Sequence, residues 1–194
     1  MNKTRLEAFS DGVLAIIITI MILEIRAPHE ATFEALLPLL PIFLSYVLSF
    51  IFIGIYWNNH HHMLQASKTI SGAVMWANMH LLFWLSLIPF ATSWMGEKHF
   101  AAVPMSIYGF ILLMCAFAYT LLQNKLIDLH GKESVLHQAV SDDKKGKISV
   151  VFYILAIPLA FISTWISGFL FIAVALIWIV PDKRIENKIK NNQS

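Results

Sequence analysis

The sequence RLEAFSDG at residues 5–12 leads directly into the apolar run VLAIIITIMIL at residues 13–23. An arginine, a glutamate, a serine and an aspartate therefore stand at the entrance of a predicted membrane helix. Groups of this kind are costly in lipid unless they pair within the protein or serve a function. This stretch decides the fold class, and it indicates where the functional residues lie.

The composition of the chain is typical of a membrane protein. Of its 194 residues, 58% are hydrophobic and 13% are charged, and the mean hydropathy is +0.67. Soluble domains carry about 25% charged residues, so a soluble globule with a large core is disfavoured. The single cysteine, Cys115, excludes a disulfide within one chain and a metal site built on thiolates.

Six apolar segments predict an all-α, polytopic membrane protein that forms one domain over residues 1–194. The predicted helices are 5–25, 37–62, 70–94, 102–124, 148–164 and 168–180. The first is expected to be retained, because it ends in Glu24-Ile25-Arg26 and not in the small residues of a signal-peptide cleavage site.

The breaks between the predicted helices differ in strength. Pro89 and Pro158 lie inside apolar runs and are expected to kink their helices. A weak turn signal at residues 165–168 separates the last two helices, and one long tilted helix is the alternative there. The polar segment 125–147 is interpreted as a solvated connector.

The distribution of basic residues predicts the orientation. With six spans and a cytoplasmic N-terminus, all of the 14 Lys and Arg residues except Arg26 and Lys98 fall on the cytoplasmic side. This bias follows the positive-inside rule, so both termini are predicted to be cytoplasmic. An odd number of spans would place the basic segment 183–190 outside.

One stripe of the first helix stands out at 100° per residue. Its members are Phe9, Gly12, Ile16, Thr19, Ile20 and Leu23. The neighbouring positions are apolar as well, so periodicity alone favours ordinary helix packing for this stripe. Arg5 falls on the same stripe. Whether it turns back to pair with an acid, or the helix begins irregularly, stays open.

Polar residues of the second and third helices are candidate partners for the start of the first. An unpaired Asp11 would be expensive, and these residues lie on the same predicted side of the membrane. We expect a network among Arg5, Ser10, Asp11, His60 and Asn78. Successive histidines point 100° apart on a helix, so His60, His61 and His62 cannot all bind one ion, and no metal site is predicted.

These residues resemble the prokaryotic members of the transmembrane protein 175 family of potassium channels. The block RxxxFSDG at residues 5–12 is specific, and the resemblance covers the whole six-helix layout. Weaker matches follow in the expected order: Ala15-Ile16, Thr19, Leu23-Glu24-Ile25, Ser49-Phe50, Trp57, His60-His61, Asn78 and Pro89-Phe90. The chain lacks the filter sequence TVGYG, as the family does.

The resemblance implies a homotetramer in the cell membrane of a prokaryote, with helix 1 of each chain lining a central pore. It implies apolar pore rings at Ile16, Ile20 and Leu23, with Thr19 as a ring of hydroxyls. The residues implied to fix helix 1 against its neighbours are Arg5, Phe9, Ser10, Asp11, Gly12, Trp57, His60 and Asn78. Whether His60 or His61 takes the family position stays open.

The expected activity is therefore a leak-type flow of monovalent cations, with a weak preference for potassium. No cofactor, no nucleic-acid partner and no enzymatic activity are expected. A secondary transporter is the main alternative, although the inverted repeats typical of that class are not evident. An intramembrane enzyme built on Asp11 and His60, His61 and His62 is a weaker alternative, because no nucleophile–base pattern accompanies them.

Overall fold

The computed structural model describes residues 2–131, 134, 136–137 and 143–179, and within these ranges every regular element is helical. A short 3-10 helix, Glu34–Leu39, precedes the second α-helix. The α-helices are, in chain order, α1 (Lys3–Leu23), α2 (Leu40–Gln65), α3 (Gly72–Ser86), α4 (Ile88–Glu97), α5 (Ala102–His130), α6 (Lys144–Leu159) and α7 (Thr164–Ile179). The predicted all-α fold is confirmed.

The helices are long and apolar enough for a protein that crosses a membrane. Four candidate spans are α1, the stretch Glu34–Gln65 that contains α2, the pair α3–α4 over Gly72–Glu97, and α5. Helix α7 is apolar but shorter. Since α3 and α4 form one kinked rod, the described residues form the six rods that the sequence predicts.

The kink between α3 and α4 has a local cause. Pro89 stands in the first turn of α4, where its missing N–H costs little. Just before it, the Leu87 N–H donates to the Trp84 carbonyl at 3.2 Å, three residues back instead of four. The break that Pro89 predicts is thus confirmed, and it lies about two turns before the end of the predicted helix 70–94.

The connector between α5 and α6 is shorter than the predicted segment 125–147. Helix α5 continues to His130 and ends where Gly131 adopts a φ of 82°, a conformation that favours glycine. Helix α6 begins at Lys144, because the Asp143 side chain accepts the Gly146 N–H at 3.0 Å. Helix α5 therefore ends six residues later than predicted, at 130 instead of 124, and α6 begins four residues earlier, at 144 instead of 148.

The predicted turn at residues 165–168 is wrong, because these residues lie inside α7. The turn falls at 160–163, where the N–H groups of Phe161 and Ile162 donate to the carbonyls of Pro158 and Leu159 at 3.1 Å. The long tilted helix considered as the alternative is also wrong. Residue 180 of the last predicted helix and the basic segment 183–190 lie outside the described residues.

Packing places α1 on one side of the bundle. Its main contacts are with α2, α3 and α4, whereas α5 packs against α3, α4 and α6, and α6 packs against α7. A glycine permits the close approach of α4 to α2. A Cβ at Gly96 would lie 2.6 Å from the Ser45 Oγ and 2.7 Å from the Ile42 Cα, too close for any larger residue.

Candidate pore-lining helix and its anchor

Helix α1 has one buried and one bare face. The buried face consists of residues that are at most 8% exposed: Leu6, Ser10, Leu14, Ile17 and Met21. The bare face contains Ile16, which is 60% exposed, and Leu23, which is 73% exposed. Phe9, Gly12, Thr19 and Ile20 are exposed beside them. The bare face thus includes the stripe singled out in the sequence, and it extends beyond it to Asp11 and Ile22.

None of the other helices that the structure describes covers the bare face. Periodicity alone favoured ordinary packing for this stripe, and within the protomer that interpretation is wrong. Helix α1 nevertheless has defined neighbours, since α2, α3 and α4 cover its opposite face. The bare face therefore meets lipid, another copy of the chain, or water.

Three buried side chains tie α1 to α2 and α3. The Asn78 Nδ2 of α3 donates to the Ser10 Oγ of α1 at 2.9 Å, and the Asn78 Oδ1 lies 2.7 Å from the His60 Nε2 of α2. Ser10 and Asn78 are fully buried, and His60 is almost so. Asn78 thus joins the three helices at the level of the RxxxFSDG block.

The direction of each hydrogen bond in this anchor follows from Ser10. Its single hydroxyl proton goes to the Leu6 carbonyl at 2.8 Å, so the Ser10 oxygen must accept from the amide nitrogen of Asn78. The amide oxygen of Asn78 then faces His60 and can only accept. His60 is therefore the tautomer that carries its proton on Nε2, and each member of the anchor has a partner.

Arg5 and Asp11 lie outside this anchor, contrary to the expected five-residue network. The Asp11 Oδ1 accepts from the Trp57 Nε1 at 3.0 Å in an exposed position. Arg5 is exposed and forms no ion pair with any residue that the structure describes. The network is smaller than expected because a buried Asn78 satisfies both of its neighbours without a charge.

Of the three histidines near the end of α2, only His60 takes part in the anchor, whereas His61 does not. The ring centroids of His61 and His62 lie 5.7 Å apart. His61 is exposed and stacks on Trp57, with ring centroids 6.1 Å apart. Among the described residues no group of three or more His, Cys, Asp or Glu side chains converges on a point that could hold a metal ion.

A second buried polar cluster connects α2, α4 and α5. The Ser49 Oγ lies 2.7 Å from the Thr92 Oγ1 and 2.9 Å from the Tyr108 hydroxyl. Thr92 donates its proton to the Ile88 carbonyl at 2.7 Å, so Ser49 donates to Thr92 and Tyr108 donates to Ser49. Sequence reasoning gave roles to neither Thr92 nor Tyr108. The signal that could have identified them is that each carries a hydroxyl group within an otherwise apolar helix.

The other end of α1 carries carboxylates. The Ser93 Oγ of α4 donates to the Glu24 Oε2 at 3.3 Å. Glu24 and Glu97 line one open groove together with Ile20, Phe90 and Trp94. The bare face of α1 therefore has an acidic group at this end, opposite the end where Arg5 and Asp11 stand.

The fold and the site define a class of protein. It is a helical membrane protein in which one helix is anchored on one side by buried hydrogen bonds and left bare on the other. This is the arrangement expected of a channel protomer that completes its pore with further copies.

Comparison with known proteins gives the family. Residues 5–89 match the family model described as endosomal/lysosomal potassium channel TMEM175. A potassium channel of Chryseobacterium sp. (strain P1-3) is 53% identical over 192 residues, which cover 99% of this chain and 100% of that relative. A potassium channel of Chamaesiphon minutus is 32% identical over 175 residues, which cover 84% of this chain and 86% of that relative.

A solved structure agrees with these matches. The crystal structure described as a lysosomal potassium-selective channel TMEM175 homolog from Chamaesiphon minutus has a TM-score of 0.79 and 30% identity to this chain. The superposed region covers 93% of this chain and 97% of the chain in that structure. The chain belongs to the TMEM175 family of potassium channels. The family indicated by the sequence resemblance is confirmed.

Proposed function

We propose that the chain is a leak-type, potassium-permeable channel in which α1 of four subunits lines a central pore. Relatives with this layout are named potassium channels. The observation that carries the pore assignment is the bare face of α1, backed by a buried anchor. A face intended only for lipid would not combine Arg5, Asp11 and Thr19 with its apolar residues.

Four copies of this face would form successive rings along the pore. Ile16, Ile20 and Leu23 would supply apolar rings, which resist ion passage when they exclude water. An anchored helix holds such rings at a fixed radius. The anchor at Asn78 therefore sets the radius of the proposed rings.

Thr19 would supply the hydroxyl ring. Its Oγ1 donates its proton to the Ala15 carbonyl at 2.9 Å. The lone pairs of this exposed oxygen therefore remain available to a cation. A cation that has lost part of its hydration can take such oxygens as substitute ligands. Potassium loses water more easily than sodium, so a weak preference for potassium follows.

The charges at the two ends of the bare face would shape ion entry. Glu24 and Glu97 would raise the local concentration of cations at one mouth. At the other mouth the exposed carboxylate of Asp11 would offset the repulsion from Arg5. We place this second mouth, and both termini, on the cytoplasmic side of a prokaryotic cell membrane, because the basic residues concentrate there.

Flux and mass measurements test the proposal together. Purified protein in liposomes is expected to pass potassium down its gradient without a counter-ion, and native mass spectrometry in detergent is expected to give the mass of a tetramer. Empty liposomes are the control. Saturable uptake coupled to a second ion would indicate a transporter, and a tetramer with α1 on its outside would contradict the pore assignment.

A further inference from the structure

A cavity of about 550 Å³ lies among α2, α5 and α6, away from the bare face of α1. Cavities of this size accept small molecules. Its walls include the apolar residues Phe52, Ile55, Phe117, Val150 and Val151. Trp178 of α7 closes one side. Phe117 and Val151 are about half exposed, so the cavity opens toward the surface that lipid covers.

The cavity is apolar at one end and polar at the other. Phe52 and Tyr153 lie at the apolar end, with ring centroids 6.3 Å apart. Helices α2 and α5 run toward the predicted cytoplasmic side, where α6 begins. The lining residues nearest to that side are polar: Asn59, Gln123, Asp143 and Lys147. The polarity thus changes along the cavity as it does along an amphiphile.

The polar end of the cavity lies at the lysine-rich start of α6. Three of the first four residues of α6 are lysines, and one of them, Lys147, is exposed and lines the cavity. Lys145 lies over the Trp178 ring, 5.7 Å from its centroid. The one acidic residue of the lining, Asp143, uses its carboxylate to cap α6 at the Gly146 N–H.

We propose that this cavity binds one acyl chain of an anionic amphiphile, with the headgroup at Lys147 and the chain against Phe52 and Tyr153. Basic pockets between helices on the cytoplasmic side bind anionic lipid headgroups, because the lysine attracts the negative charge and lies at the depth of the headgroups in the bilayer. A phospholipid and a free fatty acid share this chemistry. The binding does not depend on ion conduction, so the site stands apart from the proposed pore.

The test is quenching of Trp178 fluorescence by brominated acyl chains added to delipidated protein in a nonionic detergent. The probes are a brominated fatty acid, a brominated phosphatidylglycerol and a brominated phosphatidylcholine. The chain has six tryptophans, so the signal of Trp178 is the difference between the unmodified protein and Trp178→Phe. An anionic probe is expected to half-quench Trp178 at a mole fraction about fivefold lower than phosphatidylcholine, since one lysine contributes about 1 kcal/mol near such a headgroup. The tighter of the two anionic probes identifies the source.

Two variants make the result specific. Lys147→Gln is expected to remove the anionic preference, whereas Lys125→Gln, a lysine that pairs with Asp128 at 3.8 Å and is not among the lining residues, should keep it. Ala116→Phe fills the cavity and is expected to abolish quenching of Trp178 by all three probes. Equal quenching by the three probes, or quenching that survives in Ala116→Phe, would overturn the proposal.

Discussion

Ile16 and Ile17 are adjacent and chemically identical, yet Ile16 is 60% exposed and Ile17 is 3% exposed. They represent the two faces of α1. The face of Ile17 packs on α2, α3 and α4 and includes Ser10, the hydroxyl of the buried anchor. The face of Ile16 has no comparable packing against the helices that the structure describes. Apolarity therefore does not distinguish the packed face from the proposed pore face, whereas the buried polar partner of Ser10 marks the packed one.

The largest effect is expected when an amide is placed on each face in turn. Ile17→Asn should lower the free energy of unfolding by about 3 kcal/mol or more, because it removes core packing and buries an unpaired amide. Ile16→Asn should change it by about 0.5 kcal/mol or less. Thermal unfolding in detergent measures both.

The same pair should differ in ion flux in the opposite sense. Ile16→Asn makes a ring of the proposed pore polar, and we expect about tenfold more potassium flux, equal to about 1.4 kcal/mol. The potassium flux through the fraction of Ile17→Asn protein that remains folded should not exceed the flux through the unmodified channel. Equal stability losses in the two variants would remove the distinction between the faces.

The anchor is the next target. Asn78→Leu leaves the His60 N–H and the Ser10 oxygen without the partners that they have at 2.7 Å and 2.9 Å. We expect the free energy of unfolding to fall by about 2 kcal/mol, with a matching drop in the unfolding midpoint in detergent. Met79→Leu, at the neighbouring and 42% exposed position, is the control. A loss no greater than that of the control would show that the anchor does not hold α1.

A smaller effect is expected at Thr19, where the bare face carries its hydroxyl. Thr19→Ala should reduce the potassium-to-sodium permeability ratio a few-fold, about 1 kcal/mol, because the ring loses oxygens that replace water. Thr19→Ser retains the hydroxyl and should keep most of the preference. Reversal potentials under mixed gradients measure the ratio. An unchanged ratio in Thr19→Ala would exclude Thr19 as a coordinating ring.

Much of the fold could be predicted from the sequence, because apolar runs and prolines act locally. The number of helical rods and the break at Pro89 followed from them. The helix ends at Gly131 and Asp143 were missed although each has a local signal, a glycine after α5 and an aspartate that caps α6. The turn after Pro158 was predicted at the wrong place, because the prediction assigned the helix break to the Ser167-Gly168 pair and only a kink to the proline.

The anchor was only partly predictable. The sequence allowed a grouping of Ser10, His60 and Asn78, because all three lie near the same predicted membrane surface. Sequence could not tell that Asn78 alone would satisfy both partners, or that Asp11 would pair with Trp57, because these outcomes depend on side-chain direction across three helices. The cluster of Ser49, Thr92 and Tyr108 depends on helix contacts that no local pattern encodes.

The most direct test of the pore assignment compares Ile16→Cys with Ile17→Cys. The chain has one native cysteine, Cys115, which is fully buried, so the unmodified protein serves as the unreactive control. A cationic methanethiosulfonate reagent is added while potassium flux is followed in liposomes. We predict that the reagent abolishes most of the flux through Ile16→Cys and leaves that of Ile17→Cys unchanged. Flux through Ile16→Cys that persists after complete labelling of its thiol would contradict the assignment of this face to the pore.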